Sequence, residues 1–441
     1  MLSAFVRAFR TPDLRKKLLF TLGIIALFRL GSHVPTPGIS YTLVQDCLAQ
    51  GKAAGGSDQS GFLNLANLFS GGALLQLSVF ALGIMPYITA SIIIQLLTVV
   101  IPRFEALKEE GQSGQSRLTQ YTRYLTIGLA VLQSATLVTF ARNPSSLFGG
   151  NCPTIMTDSS MVTILIMVLT MTAGTGLIMW FGELITDKGV GNGMSLMIFT
   201  SIAAGFPASL WAIRENKGWG TFVGIILLGM FVIAAVVFVE QSQRRIPVQY
   251  AKRMVGRKMY GGTSTYIPLK VNMAGVIPVI FASSLLALPG LVAQFNTRAD
   301  GNNPGWVLWV QENLVRGDHP FYMLLYVALI LFFTFFYVSI TFNPTEVADN
   351  MKKYGGFIPG IRAGRPTAEY LNYVLTRITV PGAIYLAIIS LIPLIALVLV
   401  GANQNFPFGG TSILIIVGVG LETVKQIEAQ LQQRHYEGFL R

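Results

Sequence analysis

The chain has 441 residues, of which 52% are hydrophobic and 12% charged, against roughly 25% charged in soluble domains. So little charge cannot solvate a water-exposed surface, which excludes a soluble globular enzyme and places the chain in lipid. The formal net charge of +12 does not require a nucleic-acid substrate, because topology accounts for where the basic residues lie.

The N-terminal MLSAFVRAFRTPDLRKK is basic and leads into an apolar run that passes signal-peptide length with no small-residue cleavage pattern, so it reads as a tail before a retained first span. Ten apolar runs long enough to cross a bilayer follow one another, near 18–35, 74–100, 121–141, 160–182, 192–212, 219–239, 272–294, 320–342, 378–400 and 410–428. An even number of spans puts both ends on one side. About 25 of the 32 Lys and Arg residues fall in the N-tail, the even-numbered loops and the C-tail, and about 6 in the other loops. That asymmetry orients both ends toward the cytoplasm.

The expected organisation is a cytoplasmic N-tail (1–17), a first half (18–212), a second half (213–428) and a cytoplasmic C-tail (429–441). The second half carries two long basic loops, 240–271 and 343–377. MPYITASIII in the second run and IPVIFASSLL in the seventh share Pro-x-Ile-x-Ala-Ser, pairing Pro86 with Pro278, Ile88 with Ile280 and Ala90-Ser91 with Ala282-Ser283. Each copy sits in the second span of a five-span half. Five is odd, so equivalent helices run in opposite directions. The predicted fold is an all-α polytopic membrane protein whose two five-helix halves form an inverted repeat, with its working site between them near the midplane.

The stretch 67–97 is apolar but too long for one crossing and too short for two. Gly71-Gly72 divides it, since glycine is costly inside a helix and tolerant of turns. A full span is expected from about Ala73 or Leu74, preceded by a short segment at about 61–72. With Asn64 and Asn67, that segment is too short and too polar to span. Two readings fit it: a helix folded back into a cavity mouth on the outer side, or an amphipathic helix lying on the outer surface.

A coupled transporter needs charged or strongly polar groups at the midplane, and these are nearly absent. Arg29 lies toward the outer end of its span, within snorkelling reach of the interface, and Glu183 and Glu422 lie near cytoplasmic ends. No paired aspartates, and no Ser and His at one depth, offer intramembrane catalysis. The centre offers Ile84 and Ile88 at i, i+4 spacing, with Ile280 opposite. An apolar ring closes a passage by dewetting and selects no permeant by chemistry, which suits a large and varied passenger.

The sixth-to-seventh connection holds RRIPVQYAKRMVGRKMYGG, with six basic residues and no acid, and the eighth-to-ninth holds NPTEVADNMKKYGGFIPGIRAGRPTAEYL. Charges interleaved with aromatics, prolines and glycines predict a projecting, ordered surface. It fits anionic lipid and macromolecular docking equally well. Cys47 and Cys152 fall in outer loops and read as unconnected surface thiols, with a disulfide as the alternative. His33, His319 and His435 have no second ligand at metal spacing, so no metal or cofactor is expected.

GGALLQLSVFALGIMPYITASIIIQLLTVVIP, RRIPVQYAKR, PLKVNMAGVIPVIFASSLL, FNPTEVADNMKKYGGFIPGIRAG and FGGTSILIIVG resemble the bacterial SecY family, from about Arg15 to the C-tail. The resemblance implies the central subunit of a protein-conducting channel in the bacterial cytoplasmic membrane. It would pass unfolded polypeptides and release membrane helices through a lateral gate between the second and seventh spans. The short segment would be a plug (Phe62, Leu63, Asn64, Leu65, Asn67, Leu68, Phe69, Gly71, Gly72). The pore ring would be Ile84, Ile88, Ile198, Ile202, Ile280 and Ile415, and the gate Thr89 and Gln95 facing Asn272 and Ser284. Arg245, Lys252 and Arg362 match basic positions that engage the ribosome or the motor ATPase SecA. Implied partners also include SecE, SecG, signal-sequence-bearing nascent chains, anionic lipid, SecDF and YidC. Two departures are Pro247 inside the first basic motif, expected to alter the loop tip, and Leu288 at a gate position that is aromatic in some relatives. An inverted-repeat solute transporter is the rival function.

Overall fold

The structure is a computed structural model and describes residues 9–53, 70–142, 155–158, 160–250, 253–255, 258–260, 264–295, 304–315, 319–400 and 410–437. Helix α1 (Pro12–Gly31) opens on a proline, whose missing N–H costs nothing in a first turn, and α2 (Tyr41–Ala53) follows. Then come α3 (Met85–Val100), α4 (Pro102–Glu109), α5 (Gln112–Arg142) and α6 (Met161–Lys188). The Ser160 hydroxyl caps α6 by accepting from the Thr163 N–H. Helix α7 (Gly193–Gln241) is capped by Asn192 and broken at Gly218, which has φ 81° and ψ 179°. The break falls in the gap predicted between the fifth and sixth runs.

Strands β1 (Gln243–Tyr250), β2 (Arg253–Val255), β3 (Lys258–Tyr260) and β4 (Ser264–Lys270) form the next connection. They are followed by α8 (Ile277–Phe295), α9 (Gly305–Val310), a π turn (Gln311–Val315), α10 (Pro320–Thr341), α11 (Pro344–Lys353), β5 (Gly356–Phe357), α12 (Arg365–Val400) and α13 (Gly410–Glu437). Each of the ten apolar runs overlaps one of these helices, with α7 carrying two. Among the described residues four helices are long and apolar enough to cross a membrane: Met161–Lys188, Gly218–Gln241, Pro320–Lys353 and Arg365–Ile392. The pair Met85–Val100 and Pro102–Lys108, bent by 104°, makes a fifth if taken together.

The structure corrects the expected onset of the second run. Residues 70–84 form successive turns, and the helix starts at Met85, not near Leu74. Gly71, Gly72, Leu77 and Gly83 all have positive φ, and Pro86 sits in the first turn of α3. Long-range bonds hold the turns open: the Thr36 hydroxyl donates to the Leu77 carbonyl at 2.6 Å, and the Val79 N–H donates to Val34 at 2.9 Å. With those backbone groups committed elsewhere, no helical ladder can form across 70–84. Phe62 to Phe69 lie outside the described residues, as does Cys152. Cys47 is a second correction, because it is fully buried in the first-half core beside Val44 and Ile155. A small, weakly polar thiol packs there as a hydrophobe.

The two copies of the motif share more than its four matched residues. Gly83 (φ 56°) and Gly275 (φ 61°) each stand three residues before Pro86 and Pro278. Each turn hands over to its helix in the same way. Ile88 N–H donates to Ile84 (3.1 Å) and Ile280 N–H to Val276 (3.3 Å). Ala90 and Ala282 are both fully buried. One apolar core lies among α2, α5, α6 and the turns, and another among α7, α8, α10, α12 and α13. A third joins α1, α3, α6, α7, α8 and α13.

The two basic connections fold together. Antiparallel strands β4, β1 and β5 form one sheet in that order, and β2 and β3 form a hairpin. Ile246, Val248, Leu269, Met351, Ile358, Leu371 and Val374 make their own small core. Pro247 lies within β1, opposite Tyr266 and away from the loop tip. At that register β5 has not begun, so the absent N–H breaks no second ladder.

Candidate functional site

Ile84 is the last residue of the turn segment and Ile88 stands one helical turn into α3. Ile198 and Ile202 follow each other by one turn on α7, Ile280 is in the first turn of α8, and Ile415 is on α13. All six belong to the third core, where Ile88 is half-buried and the other five are buried. The turn segment and four helices thus converge on a single apolar core. It contains no donor, acceptor or charge on its isoleucine side chains, so it can exclude water but cannot recognise a solute by polar contacts.

Sequence reasoning missed the shell around these residues. Ile24, Phe28, Phe80, Ile178, Ile185, Leu196 and Met197 belong to the same core, and the Phe28 and Phe80 rings stack at 5.9 Å. Composition hides them, because in a chain this apolar no periodicity separates a core position from a lipid-facing one.

Among the described residues no hydrogen bond joins the four expected gate residues to one another. The Thr89 hydroxyl donates to the Met85 carbonyl inside its own helix (3.0 Å), and Gln95 is exposed. Asn272, 3% exposed, precedes α8 and donates to Glu240 Oε1 (2.6 Å) and to the Gly275 carbonyl (3.1 Å). Its Oδ1, like the buried Ser284 hydroxyl, has no partner among the described residues. Helices α3 and α8 do touch, more sparingly than α3 touches α5 or α8 touches α10.

Arg245 is exposed on β1, with its guanidinium 4.8 Å above the Tyr266 ring of β4. Arg362 is exposed in the turn after β5, where its carbonyl accepts from the Thr367 hydroxyl (2.9 Å). Lys252 lies outside the described residues. Arg29, expected to snorkel, instead donates from Nη1 to the Gly71 carbonyl at 2.8 Å.

This arrangement of helices recurs in solved channels. One neighbour, described as "The structure of a protein conducting channel", superposes with a TM-score of 0.61 at 17% identity, covering 94% of this chain and 91% of that one. Another, "Sec61 in the Canine ribosome-channel complex from the endoplasmic reticulum", has a TM-score of 0.57 at 16% identity over the same shares. The fold is therefore that of an α-helical membrane channel.

Residues 78–424 match the SecY family, and the chain belongs to it. It is 66% identical to the protein translocase subunit SecY of Streptomyces galbus and 59% identical to that of Micrococcus luteus, covering 100% of both chains in each pair. The corresponding subunit of Mycobacterium bovis is 58% identical, again over 100% of both chains.

Proposed function

We propose that this chain is the pore-forming subunit of a protein-translocation channel, a conduit and not an enzyme, working in the bacterial cytoplasmic membrane with both termini in the cytoplasm. The observation that carries the reading is the convergence of Ile84, Ile88, Ile198, Ile202, Ile280 and Ile415 on one apolar core. Those six form the ring that closes around the passage. The matched Gly-to-Pro junctions support two halves related as an inverted repeat, with ten spans in all. Helices α3 and α8 are the lateral gate, with Thr89, Gln95, Asn272 and Ser284 along it, and the segment ending at Gly71-Gly72 is the plug.

The relatives' name, protein translocase subunit, and the ribosome-bound setting of the Sec61 neighbour support the choice of passenger and partners. The β1–β4–β5 surface, with Arg245 and Arg362 exposed on it, docks the ribosome or SecA. SecE and SecG complete the membrane complex. Energy comes from SecA, the membrane potential or ribosomal elongation, since the ring itself does no chemistry.

The test is a photo-crosslinking residue at Ile280 in membranes containing the SecE partner, challenged with a stalled secretory chain. A crosslink that requires the signal sequence supports the channel. Absence of a crosslink, with position 280 reactive toward a small solute, would move the assignment to solute transport.

A further inference from the structure

Arg29, toward the outer end of α1, is a part-buried charged side chain that the channel reading leaves unused. A guanidinium there is costly unless its donors are met, so the partner it finds carries information. That partner is a backbone carbonyl 42 residues away, the oxygen of Gly71 at 2.8 Å.

Gly71 sits at a close approach. Its φ is 66°, and a Cβ built on it would lie 3.1 Å from Arg29 Nη1 and 3.2 Å from the Cα of Ser201 on α7. Ser201 is the neighbour of Ile202, which is fully buried in the constriction. The turn that holds Gly71 is tied locally as well, with the Leu74 N–H donating to the Ser70 hydroxyl at 3.0 Å. The turn segment therefore meets the constriction at both ends. One end is pinned by Arg29 against the wall beside Ile202, and the other ends on Ile84 itself.

We infer that Arg29 is a positioning residue for the closed constriction: by holding the Gly71 carbonyl it keeps the 70–84 turns seated on α7 beside Ile202. The inference rests on the channel reading. A charge-assisted bond of this kind biases the seated state strongly, and its loss is expected to raise resting ion conductance about tenfold.

The measurement is ion leak in proteoliposomes containing the full subunit with SecE and SecG. Arg29→Gln is expected to leak, and Arg29→Lys, which keeps one charged donor, to leak less. Gly71→Ala, whose Cβ would stand 3.1 Å from Arg29 Nη1 and 3.2 Å from the Cα of Ser201, is expected to unseat the same turn and to leak as Arg29→Gln does. Because both changes break one contact, the double variant is expected to leak no more than the leakier single variant.

Ile280→Asn serves as the internal control. If it leaks while Arg29→Gln stays tight, the anchor is wrong and the channel reading stands. The anchor is also wrong if Arg29→Gln and Gly71→Ala both leak and their effects multiply in the double variant, as they would at independent sites. If Ile280→Asn is tight as well, the constriction reading falls and takes the anchor with it.

Discussion

Gly83 and Gly275 hold the same left-handed backbone at φ 56° and 61°, each three residues ahead of the proline that starts an interior helix. The sharp turn is what lets Ile88 and Ile280 enter their shared apolar core from the first turns of their helices. An L side chain in that conformation costs about 1–2 kcal/mol.

At Gly275 the cost can be isolated, because a Cβ there meets nothing within 4 Å. Gly275→Ala is expected to lower the thermal midpoint of the purified complex, and Gly275→Asn to lower it less, since asparagine tolerates this region better. Gly420→Ala is the matched control, because Gly420 is helical and equally open. That variant should be neutral or stabilising. Equal midpoints for Gly275→Ala and Gly420→Ala would show that the left-handed turn is not a constraint on the fold.

A polar side chain in the ring tests the seal. Ile280 is 8% exposed and Ile202 0% exposed, and both belong to the same core. Asparagine at either site supplies donors and acceptors that a chain of water can use, which removes the dewetting barrier. Ile280→Asn and Ile202→Asn should pass secretory chains with defective signal sequences, read as exported reporter enzyme. Retention of full signal dependence in both variants would count against the ring.

That the six isoleucines share one core was legible because they follow a repeated motif and a family pattern, and neither depends on knowing which faces pack. The helix start at Met85 was not legible. It is set by Thr36 and Val34 claiming the backbone at 77–79, and no local periodicity records a partner some forty residues away. The same holds for Arg29. Position along the span predicts snorkelling, while the structure gives its charge a carbonyl to hold. Asn272 was assigned from the resemblance to the surface between α3 and α8, yet its amide is committed to Glu240. The order of the basic loops was readable from interleaved aromatics and glycines, but the pairing of β5 with β1 across more than a hundred residues was not.

The loop unit has its own small core, so it should fail independently of the long apolar helices. Leu371 is fully buried there. Leu371→Ala removes buried surface and leaves a cavity, at a cost of about 2–5 kcal/mol. The expected outcome is rapid proteolytic cleavage within 243–270 and weakened ribosome binding, with membrane insertion unchanged. A wild-type cleavage rate would mean that the sheet is held by something other than this core.

Arg245 and Arg362 are both exposed, so replacing either should change stability by no more than about 1 kcal/mol. They differ in how firmly they are held. Arg245 is oriented by the Tyr266 face, a contact worth about 0.5–1 kcal/mol at an exposed site, and so presents its guanidinium in a fixed pose. Arg245→Ala is expected to cost roughly 1 kcal/mol, or about fivefold, in ribosome affinity. Tyr266→Leu should reproduce part of that loss while keeping the charge, because it removes the orientation alone. Co-sedimentation at two salt concentrations separates the contributions: the Arg245 effect should shrink as salt rises, and the Tyr266 effect should shrink with it, since both act through one charge. An Arg245→Ala loss that did not depend on salt would point to packing at that position and away from electrostatic docking.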